Sequence, residues 1–153
     1  MVSAAEAWAT VAAVPDPEIP VLTIEDLGIL REVSVEDGCV VVTITPTYLG
    51  CPALDVIAEE IASRLHDRGM GRVQVRTVLS PAWTTDWMSE DGRRKLRDYG
   101  ISPPGQTLLQ LGVRCPHCGS VDSHERSRFG ATACQAQYVC RACLEPFDYF
   151  KDH

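Results

Sequence analysis

Two pairs of cysteines constrain the last third of this chain more than any other feature. Cys115 and Cys118 form one C-x-x-C pair, and Cys140 and Cys143 form a second pair after 21 intervening residues. Each pair can form a tight turn that presents two thiolates to one metal ion, and two such turns complete a closed tetrahedral site. We therefore predict a zinc-ribbon-like metal module over 106–153, with structural zinc as its ion. Iron in a rubredoxin-like site would use the same ligands, so the pattern leaves the metal open.

A module of this size has too little hydrophobic core to fold alone, so we expect metal binding to be coupled to its folding. A further cysteine, Cys134, lies six residues before the second pair. It is a candidate fifth ligand, but the favoured interpretation is a buried apolar residue or a thiol that faces a partner.

Composition excludes several classes of function. The 153 residues include 14 basic and 21 acidic side chains, for a net charge of −7, and no basic stripe suited to nucleic acid is present. The chain lacks the start of a signal peptide and lacks the roughly 18 consecutive apolar residues of a membrane helix. We therefore expect a cytoplasmic protein. In that reducing compartment its seven cysteines are better interpreted as metal or redox ligands than as disulfides.

The first two-thirds of the chain show the periodicity of a folded α+β domain. We predict helices over 4–13, from Pro52 to Gly69, and over 90–99, and strands over 29–35, 39–45 and 72–79. The predicted fold is α+β, a small two-layer domain with a sheet covered on one face by helices, followed by the zinc-ribbon-like module. A proline-containing linker at 102–105 divides the chain into domains 1–105 and 106–153.

Cys51 is the thiol with the clearest reason to be reactive. It precedes Pro52 at the predicted start of the amphipathic helix, where unpaired N–H groups and the helix dipole favour negative charge. A thiol in that position tends to have a lowered pKa and to be a better nucleophile or ligand for a soft metal. A buried cysteine without chemistry is the alternative interpretation.

Asp16 and Glu18 lie in a segment stiffened by prolines at positions 15, 17 and 20. Two residues separated by one in an extended chain point to the same side, so the two carboxylates could bind a hard metal or assist proton transfer. Capping of a turn is the commoner use of such residues, and both interpretations stay open.

These residues resemble a known family. The segments DPEIP at 16–20, IEDLGI at 24–29 and YLGCP at 48–52 are similar to motifs of the iron–sulfur cluster assembly family that includes SufT-type proteins. The resemblance implies a small α+β domain with a role in maturation of iron–sulfur proteins. It assigns Cys51 as the motif cysteine and Asp16 and Glu18 as the acidic motif.

Further segments resemble the PaaD-type proteins of aerobic phenylacetate degradation, and the resemblance covers nearly the whole chain. They are SPAWTTDWM at 80–88, GISPP at 100–104, FGATAC at 129–134 and CLEPFDYFK at 143–151. The family commonly has a cysteine after the Phe-Lys pair, where this chain has Asp152. That departure weakens any assignment of a second metal site to Cys134.

The resemblance implies a protein of the multicomponent phenylacetyl-CoA epoxidase system, which uses a diiron oxygenase subunit and a flavin and iron–sulfur reductase. The chain has no Glu-x-x-His pairs for a diiron centre and no flavin or dinucleotide motif. The leading hypothesis is therefore an accessory maturation factor without catalytic activity of its own. It would help to assemble or repair the iron–sulfur or diiron centre of one of those subunits.

In this hypothesis Cys51 is a transient ligand of iron or of an iron–sulfur cluster, and the zinc module provides structure and a docking surface. One thiol cannot hold a cluster alone, so a homodimer or a partner must supply the other ligands. The first alternative is a non-catalytic structural subunit of the epoxidase, with an aromatic cluster as its interface or, equally, as a local core. The cluster consists of Trp83, Trp87 and Met88. The second alternative is an enzyme with Cys51 as nucleophile.

Overall fold

The computed structural model describes residues 3–48, 52–104 and 112–151. Contacts between elements divide the chain into two compact units, Met1–Ser89 and Glu90–His153. Residues 102–104 of the predicted linker are buried in the second unit, because Ser102 belongs to a strand that pairs with the cysteine module. The separate domain boundary at residue 105 stays a prediction.

The described residues of the first unit form three α-helices and one three-stranded sheet. Helix α1 (Ala4–Ala12) starts at a reciprocal capping box, in which the side chains of Ser3 and Glu6 each accept the other residue's N–H. The remaining elements are helix α2 (Ile24–Leu27), strands β1 (Leu30–Glu36) and β2 (Cys39–Ile44), helix α3 (Ala53–Asp67), and strand β3 (Val73–Thr77).

The sheet has the order β1-β2-β3, with an antiparallel β1–β2 pair and a parallel β2–β3 pair. Asp37 and Gly38 connect the hairpin with φ values of 49° and 75°, as a type I′ turn requires. The parallel pair needs a crossover, which α3 supplies. The strands predicted over 29–35 and 39–45 and the helix predicted from Pro52 to Gly69 are confirmed, with small differences at their ends.

One face of the sheet is apolar and the other is mostly polar. In the register, Val42 lies between Val33 and Val75, whereas the next residue, Thr43, lies between charged residues of the neighbouring strands. Helix α3 covers the apolar face with side chains that recur every four residues and are at most 2% exposed: Ile57, Ile61 and Leu65. Burial of each such side chain stabilises the fold by roughly 1.5–3 kcal/mol. The predicted cover of one face by helices is confirmed.

Two features of the first unit were not predicted. Helix α2 is a single turn that Thr23 and Asp26 cap reciprocally. After β3, a short 3₁₀ turn (Thr85–Trp87) brings the aromatic cluster back against α2, where Trp83 Nε1 donates a hydrogen bond of 2.7 Å to the carbonyl oxygen of Leu27.

The second unit begins with helix α4 (Glu90–Tyr99), whose bounds agree with the sequence prediction. Strand β4 (Ile101–Ser102) follows it, and the cysteine module adds strands β5 (Ser123–Ser127), β6 (Gln135–Cys140) and β7 (Pro146–Phe150). The sheet order is β4-β7-β6-β5. Its thin core combines two cysteines with aromatic and aliphatic side chains: Val113, Cys115, Cys140, Phe147 and Tyr149.

Among the described residues, no helix combines the length and the apolar character that crossing a lipid bilayer demands.

Candidate functional site

The four predicted ligand cysteines converge in the second unit. All four Sγ atoms lie within 4.8 Å of one another. Cys115 Sγ is 3.8 Å from Cys143 Sγ, and Cys118 Sγ is 3.5 Å from Cys140 Sγ. Sulfurs at about 2.3 Å from a tetrahedral metal ion are about 3.8 Å apart, so the spacing suits one ion. The donor set therefore fits a closed metal site of four thiolates.

Both cysteine turns are built in the same way. The N–H groups of Gly119 and Leu144 donate to the carbonyl oxygens of Cys115 and Cys140, respectively. Both donors have positive φ, 79° for Gly119 and 65° for Leu144. Glycine adopts this conformation without steric cost, whereas leucine does not.

Backbone N–H groups also point at the sulfurs. The N–H of Cys143 lies 3.5 Å from Cys140 Sγ and lowers the pKa of that thiol to about 7. The N–H of His117 lies 3.4 Å from Cys115 Sγ, but burial of Cys115 dominates and raises its pKa. Metal binding must therefore release protons from these thiols, and it depends on pH.

A second group of candidate residues lies on the proline-stiffened loop of the first unit. This loop is closed at its base by a bridge between Pro15 and Thr23, and the N–H of Asp16 donates to the carbonyl oxygen of Leu22 at 2.8 Å. The side chain of Ile19 is 1% exposed and anchors the tip of the loop in the core.

The two carboxylates of this loop differ in their surroundings. Asp16 is 7% exposed, and its Oδ2 accepts the N–H of Ile19 at 3.0 Å. Burial raises the pKa of Asp16 to about 6, against the lowering effect of that hydrogen bond. Glu18 is only half-buried, and its Oε1 lies 3.5 Å from the hydroxyl of Tyr48.

The predicted thiol, Cys51, lies outside the described residues, as do 49 and 50. Its lowered pKa therefore stays a prediction. The structure does bring Tyr48, at the end of the described segment before Cys51, next to Glu18. The sequence places Tyr48 in the YLGCP motif that contains Cys51 but does not connect it to Glu18, because a contact across 30 residues has no local signal.

The aromatic cluster forms a local core in the first unit. Trp83 and Met88 are each 5% exposed. Trp87 is half-buried, and the guanidinium carbon of Arg31 lies 3.7 Å from the centre of its ring. Of the two sequence interpretations, burial favours the local core over a free interface.

Cys134 is buried, with its Sγ 2.9 Å from Thr132 Oγ1. Among the described residues, the cluster of potential metal ligands contains the four predicted cysteines and not Cys134. The structure therefore agrees with the interpretation of Cys134 as a buried residue.

Two family models match this chain, one over its first part and one over its last part. The model described as "Iron-sulfur cluster assembly protein" matches residues 4–79, and the model described as "PaaD zinc beta ribbon domain" matches residues 102–151.

Two relatives illustrate the similarity. A protein of Escherichia coli (strain K12), named as a subunit of a "Putative 1,2-phenylacetyl-CoA epoxidase", is 51% identical over 150 residues, which cover 95% of this chain and 91% of that protein. An "Fe-S protein maturation auxiliary factor" of Porphyromonas gingivalis (strain ATCC BAA-308 / W83) is 40% identical over 83 residues. That match covers 53% of this chain and 78% of the relative.

Solved structures show the same fold. A domain of unknown function, DUF59, from Bacillus anthracis has a TM-score of 0.56 and 27% identity over 61% of this chain and 90% of its own. A conserved hypothetical protein from Thermotoga maritima has a TM-score of 0.52 and 26% identity over 62% of this chain and 94% of its own.

Proposed function

This chain belongs to the PaaD-type family and combines an iron–sulfur cluster assembly domain with a PaaD zinc beta ribbon; on that premise we propose that it is an accessory maturation factor for the phenylacetyl-CoA epoxidase system. Its cargo is iron or a preformed iron–sulfur cluster, which it delivers to the reductase or the diiron oxygenase subunit. One observation carries the proposal: the match to the assembly domain, over residues 4–79, contains Asp16, Glu18 and Cys51 together.

The chemistry of these residues suits a transient metal site. Cys51 supplies a soft thiolate, and the acidic loop supplies carboxylate oxygen, so the site can hold iron through both kinds of donor. A single thiolate leaves most coordination positions of a cluster unfilled. The remaining ligands come from a second copy of the chain or from the client, which makes release to the client possible.

The four-cysteine site has a different role in this proposal. Its closed set of four thiolates leaves no position open for a substrate, as in structural zinc sites. Zinc would link the two cysteine turns and thereby stabilise a module with a thin core. The ribbon then serves as a rigid platform for docking to the client.

Replacement of the proposed cargo thiol tests this function. In cells that produce the epoxidase system, we expect Cys51→Ala to lower the cluster occupancy of the reductase, because the transient ligand is lost. Folding and zinc content should not change. Cys39→Ala is the matched control, because Cys39 is a half-buried cysteine of the same unit outside the proposed site.

Cluster occupancy is measured by absorption and iron analysis of the purified reductase, and metal content of this protein is measured after purification without oxygen. Wild-type protein should contain one firmly held zinc and labile iron that the Cys51 variant lacks. Normal occupancy of both the reductase and the diiron subunit in Cys51→Ala cells would remove Cys51 from the mechanism.

The name of the Escherichia coli relative supports a second candidate function, that of a stable epoxidase subunit. A structural subunit would co-purify with the active epoxidase at fixed stoichiometry, and the epoxidase would lose activity when the two are separated. A maturation factor would instead be dispensable once the client carries its metal centre. Separation of matured epoxidase from this protein, followed by an activity assay, distinguishes the two.

A further inference from the structure

The carboxylate of Asp16 is already committed to the backbone of its own loop. Its Oδ2 accepts the N–H of Ile19 at 3.0 Å, and this hydrogen bond is buried. The residue is 7% exposed. If the carboxylate turned outward to bind a ligand, the buried N–H of Ile19 would lose its acceptor, which is unfavourable.

Glu18 differs from Asp16 in length and in exposure. Its side chain is one methylene longer and is only half-buried. From the other side, the hydroxyl of Tyr48 lies 3.5 Å from Oε1 of Glu18. The Tyr48 hydroxyl thus contacts the carboxylate of Glu18, while part of the Glu18 side chain stays accessible.

We propose that Asp16 is a positioning residue and that Glu18, flanked by the Tyr48 hydroxyl, is the carboxylate that binds the metal cargo. This inference rests on the proposed function and gives the two residues of the acidic motif different roles. It also adds Tyr48 to the site, as the residue that orients Glu18 from the segment that leads to Cys51.

Four variants separate positioning from ligation. Asp16→Asn keeps an oxygen that can accept the N–H of Ile19 but removes the charge, whereas Asp16→Ala removes the acceptor. Glu18→Gln removes the proposed ligand, and Tyr48→Phe removes only the hydroxyl. The matched control is Glu25→Gln, which neutralises an exposed carboxylate of the same unit.

The first readout is hydrogen exchange of the Ile19 amide in the full-length, zinc-loaded protein. We expect exchange at least about fivefold faster in Asp16→Ala and close to wild type in Asp16→Asn, because a buried N–H without an acceptor is destabilised. This readout does not depend on the cargo. Unchanged exchange in Asp16→Ala would overturn the positioning role whatever the protein delivers.

The second readout is the affinity for ferrous iron, added without oxygen to the same zinc-loaded proteins. We expect Glu18→Gln and Asp16→Ala to bind iron at least about tenfold more weakly than wild type. Tyr48→Phe should weaken iron binding less, because a lost charged ligand costs more than a lost neutral hydrogen bond. The affinity of Asp16→Asn should stay within about threefold of wild type. Glu25→Gln should match wild type.

Loss of iron binding in Asp16→Asn as large as that in Glu18→Gln would make Asp16 a ligand and overturn the inference. Wild-type affinity in Glu18→Gln would overturn it as well. If the wild-type protein itself binds no iron while Cys51→Ala lowers client occupancy, the role of Glu18 as an iron ligand is refuted but delivery of a preformed cluster survives. The exchange experiment then still decides whether Asp16 positions the loop.

Discussion

At the scale of single residues, Gly28 is the most closely surrounded of the described glycines in the first unit. It ends helix α2 with a φ of 80°, and a Cβ atom added there would lie 2.6 Å from the carbonyl oxygen of Trp87. The same Cβ would lie 2.7 Å from Trp87 Cβ. Real Cβ atoms do not approach other atoms so closely, so any side chain at this position must displace the turn that carries Trp87.

We therefore expect Gly28→Ala to lower the free energy of unfolding of the first unit by about 2–5 kcal/mol, the sum of the cost of positive φ and of overpacking. Gly38→Ala is the control, because Gly38 has a similar φ of 75° but no atom within 4 Å of the added Cβ. It should carry only the cost of positive φ, about 1–2 kcal/mol. Urea unfolding followed by tryptophan fluorescence measures both, and equal costs would contradict the role of the Trp87 contact.

At the scale of elements, the two cysteine turns share one conformation but not one sequence. Where the first turn has Gly119, the second has Leu144, which is 75% exposed and has a φ of 65°. Because the Leu144 side chain is exposed in the described part of the chain, its packing contributes little to stability. The left-handed conformation of its backbone costs roughly 1–2 kcal/mol.

Leu144→Gly should therefore stabilise the zinc-loaded ribbon, by up to about 1 kcal/mol after the entropy cost of glycine in the unfolded chain. Gly119→Ala is the reciprocal variant and should destabilise it, although nothing lies within 4 Å of the added Cβ. Thermal unfolding at a fixed zinc concentration tests both changes. A lower melting temperature for Leu144→Gly would show that the leucine makes a stabilising contact.

Elements with strong local signals were predictable. The hairpin follows from Asp37-Gly38, and α3 follows from apolar residues at helical spacing. Helix α2 was missed because four residues are too few for periodicity, although the capping pair Thr23 and Asp26 was a usable signal. Strand β4 was missed because its two residues are extended by pairing with β7, which is distant in sequence.

At the scale of the whole molecule, the two units differ in what holds them together. The first has an ordinary hydrophobic core between helices and sheet, whereas the second combines a small aromatic core with the four-cysteine site. The three tryptophans of the chain, Trp8, Trp83 and Trp87, all lie in the first unit. Tryptophan fluorescence therefore reports on that unit alone.

Removal of the metal from the full-length protein should unfold the cysteine module and leave the first unit folded, because only the module depends on the ion. We expect the amide signals of 112–151 to lose dispersion in NMR spectra while tryptophan emission stays unchanged. Added zinc should restore the signals. A metal-free protein with an intact ribbon would show that the aromatic core is sufficient for folding.

Of the candidate site, the sequence indicated the ligands but not their surroundings. Cys115, Cys118, Cys140 and Cys143 were identifiable because the spacing of a metal turn is local. The burial of Asp16 and the position of Tyr48 beside Glu18 were not, since both depend on how the loop packs against distant residues.

The sequence by itself determined the cysteine ligand set, the order of the main helices and strands, and the family, because each is encoded by spacing over a few residues or by motifs in series. The tertiary structure decided that Asp16 is buried, that Tyr48 contacts Glu18, and that Gly28 has no room for a side chain. Those outcomes depend on distances between segments far apart in the chain. Only the packing of the folded core sets such distances.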